Sequence, residues 1–413
     1  MRKLFWKTVP ILAAAAILCG SCLFTEVGEG AAPSSAASSA VSSAPAPSSE
    51  PEPVSSEPEI PEPAVVRIKA VGDNLIHSSI YEQAAARAGG NGYDYDYAYE
   101  NVRDLFSDAD ISSINQESII APDFPPSTYP MFNATPELGD LMLELGFDVF
   151  NLANNHCLDK GEAGVFSSLD YWAERPQAVT TGVYRDEEDY ENIRTIEAQG
   201  VTFSFVGLTE LTNGLSLPAG SEAVVLLGEE EDKLEARIRA AKEISDVCVV
   251  NVHWGNEYTH TPTDRQRYLA QKMSEWGADI IIGHHPHVIQ PIEYIEREDG
   301  SRTLVAYSLG NFISAQDRAA RMIGGMLDLD VTMDFETGET EITRCEFVPI
   351  ITHYDRGFAN NRLYAFADYT EELAASHGVR AYSPEFSLGY IRQTVKSVID
   401  AQFLTGMAEA PAA

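Results

Sequence analysis

The feature of this chain that most constrains its fold is a set of six short polar clusters, each of which follows an apolar run rich in β-branched residues. Such runs predict buried strands, and the ends of parallel strands meet at one edge of an open α/β sheet. We therefore expect the carboxylates, amides and imidazoles of the clusters to lie together in one site. The clusters are Gly72-Asp73 with His77, Asn115-Gln116-Glu117, Asn154-Asn155-His156, His253-Trp254-Gly255, Gly283-His284-His285-Pro286-His287 and Ser308-Leu309-Gly310-Asn311-Phe312.

Strand-like and helix-like patterns alternate from residue 65 to about residue 312, which predicts an α/β fold. Between residues 326 and 348 two alternating segments flank Glu336-Thr337-Gly338-Glu339. This pattern predicts a β-hairpin, so the sheets should be mixed rather than wholly parallel. We predict a main domain over residues 64–358 and a helical C-terminal extension over residues 359–413.

The first residues have the pattern of an export signal. Basic residues precede a short apolar run from Val9 to Leu18, which is too short for a comfortable membrane span. Small residues directly before Cys22 are typical of a bacterial lipoprotein processing site. We therefore predict a signal peptide over residues 1–22 and a lipid on Cys22, with plain secretion or a retained anchor as the alternatives.

Residues 23–63 are dominated by Ser, Ala, Pro and Glu, a composition that cannot bury a core. We predict that this segment is a disordered tether. It would hold the domain at the extracellular face of the bacterial cell membrane.

The formal net charge of −35 argues against nucleic acid as a partner, because phosphate would be repelled. It would also repel an acidic polymer, unless bound cations make the local field positive.

His285 and His287 form the strongest indication of a metal site, with Pro286 stiffening the link between them. On an extended segment, residues two positions apart point the same way, so both imidazoles can face one site. A solvated polar turn is the alternative interpretation of this segment.

Other clusters supply further candidate metal ligands. Asp73 ends the first predicted strand, Glu117 follows the second, and His253 ends another. His77 lies on the same face as Asp73 if the segment turns helical, and is otherwise a surface histidine. Asn155 offers an amide oxygen that suits a two-metal site, although Asn is also an ordinary turn former. Oxygen and imidazole ligands together predict one or two divalent ions, namely Mn, Fe or Zn.

Three residues are candidates for catalysis. His156 is a candidate general acid, and Asp159 would orient its ring. For Glu257 three roles stay open: a base, a partner of a metal ligand, or a contact to the substrate.

Six segments together resemble the bacterial poly-γ-glutamate capsule synthesis protein family (CapA-like), within the calcineurin-like metallophosphoesterase superfamily. The likeness spans about residues 66–315. The segments are Ala70 to Asp73, Asn115 to Glu117, Leu152 to Asp159, Val252 to Tyr258, Gly283 to Val288 and Tyr307 to Phe312.

This resemblance implies a four-layer α/β/β/α sandwich of the metallophosphoesterase type with mixed sheets. It also implies that His156 is the histidine that assists catalysis. Leu75 stands where the superfamily has a second histidine, with His77 as the candidate substitute, and Glu117 stands where it has a bridging Asp. The implied metal ligands are Asp73, Glu117, Asn155, His253, His285 and His287.

The expected function is metal-dependent hydrolysis or transfer on an anionic polymer, such as poly-γ-glutamate, or on its precursor. A membrane synthase is a candidate partner. A metal-dependent phosphoesterase unrelated to capsule, and a non-catalytic subunit that binds the polymer or the synthase, are the alternatives.

Overall fold

The computed structural model describes residues 62–407, whose strands form two mixed sheets and one two-stranded pair. The predicted signal peptide with Cys22, and residues 23–61 of the predicted tether, lie outside this range. Among the described residues, no helix has the length and apolar character that crossing a membrane would require. The lipid anchor and the tether therefore stay predictions.

Helices separate many of the strands. In chain order, the strands are β1 (Ala64–Asn74), β2 (Ile111–Asn115), β3 (Val149–Asn151), β4 (Val179–Thr181), β5 (Val183–Tyr184), β6 (Arg194–Ala198), β7 (Val201–Thr209), β8 (Val224–Val225), β9 (Val247–His253), β10 (Ile280–His284), β11 (Ile292–Glu296), β12 (Arg302–Ala306), β13 (Asn311–Ile313), β14 (Ile323–Asp334), β15 (Glu339–Asp355) and β16 (Ala359–Ala365). The helices are α1 (Ser78–Arg87), α2 (Asp96–Tyr99), α3 (Pro136–Glu144), α4 (Gly161–Ala173), α5 (Glu187–Glu191), α6 (Glu231–Glu243), α7 (Asp264–Trp276), α8 (Glu371–Ser376) and α9 (Leu388–Val398). Short 3-10 helices lie at Glu100–Phe106, Ala319–Met322, Phe366–Asp368, Gly378–Ala381 and Ala401–Phe403.

The first sheet has the strand order β16-β15-β14-β1-β2-β3-β4, and β13 also pairs with β1. Strands β1 to β4 are parallel, whereas the pairs that involve β14, β15 and β16 are antiparallel. The second sheet has the order β11-β12-β10-β9-β7-β6, with parallel pairs at its centre and an antiparallel strand at each edge. The predicted hairpin is β14 with β15, and the prediction of mixed sheets is confirmed.

The two sheets face each other across a buried apolar core. Val66 and Ile68 enter it from the first sheet, and Phe203, Val249 and Ile280 enter it from the second. The outer face of the first sheet packs against α1, α3 and α4, and that of the second sheet packs against α6 and α7. Because both faces of the sheets are covered, central strands such as β9 are buried along their whole length. The layers are therefore helix, sheet, sheet and helix, which confirms the predicted four-layer sandwich.

The polar clusters lie at matching levels within each sheet. In the first sheet, Asp73 of β1 pairs in register with Asn115 of β2 and with Asn311 of β13. In the second sheet, His253 at the end of β9 pairs with His284 at the end of β10. Parallel strands bring their carboxyl ends to one edge, so the register places these polar side chains on the same side of the molecule.

The chain after residue 358 begins with a strand, which corrects the prediction of a helical extension from residue 359. Residues Ala359–Ala365 form β16 and pair with β15, so the first sheet continues past the predicted boundary. Asn361, Leu363 and Ala365 are buried and alternate with more exposed neighbours, which is the period of a half-buried strand. Helices α8 and α9 follow and pack onto the same core that fills the space between the sheets.

His377 connects this C-terminal segment to β15. Its Nδ1 accepts a hydrogen bond from the Val379 backbone N–H at 2.9 Å, and its Nε2 donates to the Thr352 carbonyl at 2.9 Å. Burial, together with the neighbouring His353, lowers the pKa of His377 to about 3. Both nitrogens of the neutral His377 ring therefore make hydrogen bonds, and a second ring proton would break the bond to Val379.

We expect acid to destabilise the fold through His377. An unfolded histidine has a pKa of about 6.5, so below that pH the unfolded chain takes up a proton that the folded chain refuses until about pH 3. The free energy of unfolding then falls as the pH falls, by at most about 1.4 kcal/mol per pH unit from this residue, and His377 contributes no such change above about pH 6.5. Urea denaturation of wild type and His377→Gln, which offers a donor and an acceptor without titrating, measures this slope. Equal pH slopes between about pH 6.5 and about pH 5 would contradict the prediction.

Candidate metal centre

Asp73, at the end of β1, is completely buried and held from several sides. Its backbone N–H donates to the Gly310 carbonyl at 2.9 Å, and only glycine fits at position 72 because a Cβ there would lie 1.8 Å from the same oxygen. The Oδ1 atom accepts a hydrogen bond from Asn115 Nδ2 at 2.8 Å, and Oδ2 lies 3.1 Å from Nδ1 of His287. The carboxylate is therefore fixed in one orientation.

Glu117, just after β2, is equally buried, but neither of its carboxylate oxygens has a hydrogen-bond partner among the described residues. Its Oε1 lies 3.7 Å from Nε2 of His287 and 3.9 Å from Nε2 of His253. Burial, and then the charge of Asp73, raises the pKa of Glu117 well above its ordinary value. An unpaired buried charge costs on the order of 3–5 kcal/mol, so the ionised form of Glu117 requires a cation within reach.

The histidine segment is a tight turn rather than the extended segment that the sequence predicts. His285 and His287 have φ values of 97° and 57°, which L-residues with bulky side chains rarely adopt. The two rings still converge, with centroids 5.9 Å apart, and the His285 ring lies 4.7 Å from that of His253. Backbone strain of this kind is concentrated at functional sites, and here it accompanies the convergence of three imidazoles.

Three overlapping groups of donor atoms result from this arrangement, with the atoms of each group within 4.8 Å of one another. Glu117 and His287 each belong to two of the groups, as does His285. The groups are Glu117, His253 and His285; Glu257, His285 and His287; and Asp73, Glu117 and His287.

Two of the three converging histidines have the neutral ring that a metal ligand needs, whereas His287 would have to release a ring proton to bind a metal. Although burial acts in the opposite direction, the carboxylates of Glu117 and Asp73 raise the pKa of His287 to about 9. The same contact with His287 holds the pKa of Asp73 below its usual range despite burial. Burial lowers the pKa of His253 far below its ordinary value and that of His285 to about 3, so both rings are neutral. Neutral imidazoles offer the lone pairs that metals bind.

Asn155 borders the first group. Its Oδ1 lies 3.1 Å from Nε2 of His253, and its Nδ2 donates to Oδ1 of Asn213 at 3.4 Å. The structure therefore brings the Asn155 amide oxygen next to the candidate ligands, as the sequence predicts for a polar side chain after β3.

His156 and Asp159 form a buried pair. Nδ1 of His156 lies 2.7 Å from Oδ2 of Asp159, which also accepts the Phe132 backbone N–H at 2.5 Å. The Phe132 ring packs edge-on against His156, with centroids 4.7 Å apart. With Nδ1–H donated to the carboxylate, the Nε2 atom carries the exchangeable proton when the ring is charged.

Glu257 and His77 occupy more peripheral positions. The Glu257 side chain is 41% exposed, and its Oε1 lies 3.9 Å from Nε2 of His287. His77 packs edge-on against Phe132 at 5.3 Å, and its Nδ1 accepts the Ala315 backbone N–H at 3.2 Å. Burial lowers the pKa of His77 to about 4. His77 is not a member of the three donor groups, whereas Glu257 belongs to one of them.

Four residues of the centre were not among the predicted site residues. Asn115 orients Asp73, and Asn311 lies with its Oδ1 3.0 Å from Nδ1 of His287. The buried Nδ1 of His284 has no hydrogen-bond partner among the described residues and lies 3.7 Å from Oδ1 of Asp73. Asn213 contacts Asn155 from a distant loop. The first three lie inside the polar clusters of the sequence, so those clusters were the available signal, whereas Asn213 has no comparable signal.

The donor set fits a divalent cation. It combines carboxylate oxygen with neutral imidazole nitrogen, and both the Glu117 carboxylate and Nδ1 of His285 are buried without a hydrogen-bond partner among the described residues. Oxygen and imidazole together suit Mn, Fe or Zn.

Curated relatives of the chain include proteins with names related to capsule or polyglutamine synthesis. The PGA biosynthesis protein CapA of Bacillus subtilis is 36% identical over 176 residues, which are 43% of this chain and 45% of the relative. The capsule biosynthesis protein CapA of Bacillus anthracis is 32% identical over 235 residues, 55% of this chain and 56% of the relative. A probable polyglutamine synthesis accessory protein of Mycobacterium tuberculosis is 24% identical over 201 residues, 45% and 51% of the two chains. This chain thus spans about half the length of the curated relatives it matches.

Solved structures that match parts of this chain include a phosphatase from Mycoplasma pneumoniae, with 14% identity and a TM-score of 0.42, covering 70% of this chain and 94% of that one. A putative 5'-nucleotidase from Staphylococcus aureus has 14% identity and a TM-score of 0.43, covering 69% and 54% of the two chains.

A family model described as "Bacterial capsule synthesis protein PGA_cap" matches residues 67–316. This range is more than half of the 413 residues and includes all the residues of the candidate metal centre. The family predicted from the sequence is confirmed: the chain belongs to the family of bacterial capsule synthesis proteins.

Proposed function

We propose that this protein carries out metal-dependent hydrolysis or transfer on an anionic γ-glutamyl polymer, or on its precursor, during capsule synthesis. The observation that carries the proposal is the buried Glu117 carboxylate, which has no hydrogen-bond partner among the described residues and faces His253 and His287. A role related to capsule synthesis follows from the family. The substrate and the reaction are inferred from the names of relatives and from the chemistry of the donor set.

Glu117, His253 and His285 would hold one divalent ion, and Asp73 with His287 would take part in a second, with Glu117 shared between them. Such an ion polarises a carbonyl or phosphoryl oxygen and lowers the pKa of a coordinated water. Asn155 supplies an amide oxygen beside His253. Glu257 lies at the outer side of His287, where its partial exposure suits contact with a substrate.

His156 is the residue suited to transfer a proton to a leaving group. Asp159 accepts the Nδ1–H and fixes the ring, so Nε2 is the nitrogen left to deliver a proton. Phe132 packs against the ring and limits its motion. His156 is 6% exposed, so the proton donor is largely shielded from bulk solvent.

We also propose that the protein acts outside the cell, anchored by a lipid on Cys22 and separated from the membrane by the Ser- and Pro-rich tether. The supporting observation is the sequence pattern before Cys22. A membrane synthase is the proposed partner, because the Mycobacterium tuberculosis relative is described as an accessory protein of polymer synthesis.

Metal binding should depend on the charge of Glu117. Glu117→Gln keeps the shape of the side chain but removes its charge, so we expect Mn²⁺ or Zn²⁺ to bind at least about tenfold more weakly, measured by calorimetric titration of the full chain. We expect added metal to raise the melting temperature of wild type but hardly that of the variant, because a ligand stabilises only the state that binds it. Glu336→Gln, in the exposed β14–β15 turn, is the matched control. Unchanged affinity and stoichiometry in Glu117→Gln would overturn the assignment.

Replacement of His156 should slow the reaction without weakening metal binding. Loss of a general acid typically lowers a rate by a factor of about 10²–10⁴, so we expect His156→Gln to slow the change in polymer chain length by at least about a hundredfold. Metal binding and the melting temperature should remain close to those of wild type. The measurement is electrophoresis of γ-linked polyglutamate incubated with the metal-loaded full chain.

Two results would contradict the proposed reaction. Turnover of a generic aryl phosphate ester, without any change in the polymer, would favour the unrelated phosphoesterase. Wild-type cellular capsule formation in both His156→Gln and Glu117→Gln would favour the non-catalytic subunit.

Lipid labelling of the protein should depend on Cys22. Cells that express the full chain and are fed a labelled fatty acid should label the wild-type protein and Cys19→Ala, whereas Cys22→Ala should lack the label and appear in the medium or as unprocessed precursor. Labelling of Cys22→Ala at the wild-type level would refute a lipid on Cys22.

A further inference from the structure

A guanidinium lies beside the candidate metal centre and takes no part in it. The Cζ atom of Arg321 lies 3.5 Å from the centroid of the Tyr258 ring. The Tyr258 ring in turn lies 6.0 Å from the His287 ring, with 30° between their planes. Tyr258 is 43% exposed and the Arg321 side chain is 20% exposed. The pair is therefore partly accessible to solvent beside His287, and we call these two side chains the rim of the centre.

Backbone groups of both residues are linked by hydrogen bonds to the turn that presents the histidines, Tyr258 directly and Arg321 through Asn311. Tyr258 has a φ of 66°, and its N–H donates to the Pro286 carbonyl at 2.8 Å. The Arg321 carbonyl accepts a hydrogen bond from Nδ2 of Asn311 at 3.0 Å, and Oδ1 of Asn311 lies 3.0 Å from Nδ1 of His287. Movement of the rim relative to the metal centre is thus restrained on both sides.

The Arg321 guanidinium is left with unused hydrogen-bonding capacity. Within the described part of the chain it donates no hydrogen bond, and the carboxylate within 4.0 Å is that of Asp317, at 3.6 Å. Many other arginines of the described part are held closely by carboxylates. Arg344, for example, contacts both Asp328 and Asp330. In a chain with a net charge of −35, a partly exposed and weakly paired guanidinium next to a candidate catalytic centre is a specific attraction for an anion.

We propose that Arg321, stacked on Tyr258, binds the free α-carboxylate of a γ-linked glutamyl residue whose neighbouring bond is presented to the metal centre. This inference rests on the proposed function, because it names the group by which that substrate is recognised.

A γ-linked polymer suits this arrangement because each residue keeps its α-carboxylate close to the backbone. In an α-linked chain, by contrast, the free carboxylate is at the end of a flexible side chain. A planar guanidinium binds a carboxylate through two parallel N–H···O bonds, which adds geometric selectivity to the attraction of charge. The aromatic face of Tyr258 holds the guanidinium by a cation–π contact and keeps its edge free for the ligand.

The test measures binding rather than turnover. The probes are a fluorescent γ-linked glutamyl oligomer, an α-linked glutamyl oligomer of the same length and a glycerol-phosphate oligomer, titrated into the full chain with Mn²⁺ and with chelator. We expect Arg321→Gln to bind the γ-linked oligomer about tenfold more weakly in both conditions, as for the loss of a charge-assisted hydrogen bond. Arg318→Gln is the matched control, since Arg318 is 53% exposed and pairs with the same Asp317. We expect its affinity to stay within about twofold of wild type, because the loss of one exposed charge has a small effect.

Arg321→Lys separates geometry from charge and guards against a folding defect. It retains the charge without the planar fork, so we expect an affinity between those of wild type and Arg321→Gln. Equal affinities of Arg321→Gln and Arg318→Gln for the γ-linked oligomer would overturn the proposal. A larger loss for the α-linked or the glycerol-phosphate oligomer than for the γ-linked one would overturn the assignment of the ligand.

The two proposals fail in different ways. If Arg321→Gln selectively loses the γ-linked oligomer but wild type never alters the polymer, the binding site stands and the proposed catalysis falls. If wild type alters the polymer and Arg321→Gln does so with unchanged affinity and rate, the catalysis stands and the role of Arg321 falls.

Discussion

The arrangement of this site depends on one electrostatic constraint, the burial of the Asp73 and Glu117 carboxylates where strands of both sheets end. Two negative charges that are buried away from solvent must be balanced by positive charge nearby. A proton on His287, whose pKa is raised to about 9, supplies one such charge, and a divalent cation would supply more at the same place. The buried charges that oppose folding here would also attract a cation, so stability and metal affinity would be coupled.

Neutral amide side chains fix the orientation of the charged and imidazole groups in this site. Asn151 donates to Asn115, which in turn donates to Asp73, so a short relay of amides fixes the carboxylate without adding charge. Asn311 and Asn155 border His287 and His253 in the same manner. Each of these side chains is buried and requires a partner, which explains why the polar clusters of the sequence contain so much asparagine beside their acids and histidines.

Much of the candidate site could be predicted from the sequence because its polar residues follow directly after strands. The apolar runs predicted the strands, and parallel pairing within each sheet brought Asp73 and Glu117 to an edge of the first sheet and His253 to an edge of the second. The rest depends on contacts between distant segments. Position in the sequence predicted an extended conformation for His285, whereas the structure has a left-handed turn whose Pro286 carbonyl accepts a hydrogen bond from the distant Tyr258 N–H. Asn213 has no local signal, and β16 could be recognised only through its pairing with β15.

The acidic character of the protein is compatible with an acidic polymer because the repulsion and the attraction act over different distances. Charges on an exposed surface are screened beyond about 8 Å at physiological ionic strength, so the net charge of −35 acts weakly on a strand that has already arrived. Contacts at short range are screened much less, and these are the contacts that Arg321, and cations bound at Glu117, would offer. The diffuse repulsion opposes adhesion of long stretches of polymer elsewhere on the protein. Such a distribution of charge favours binding of one polymer residue at a time at the rim, followed by ready release.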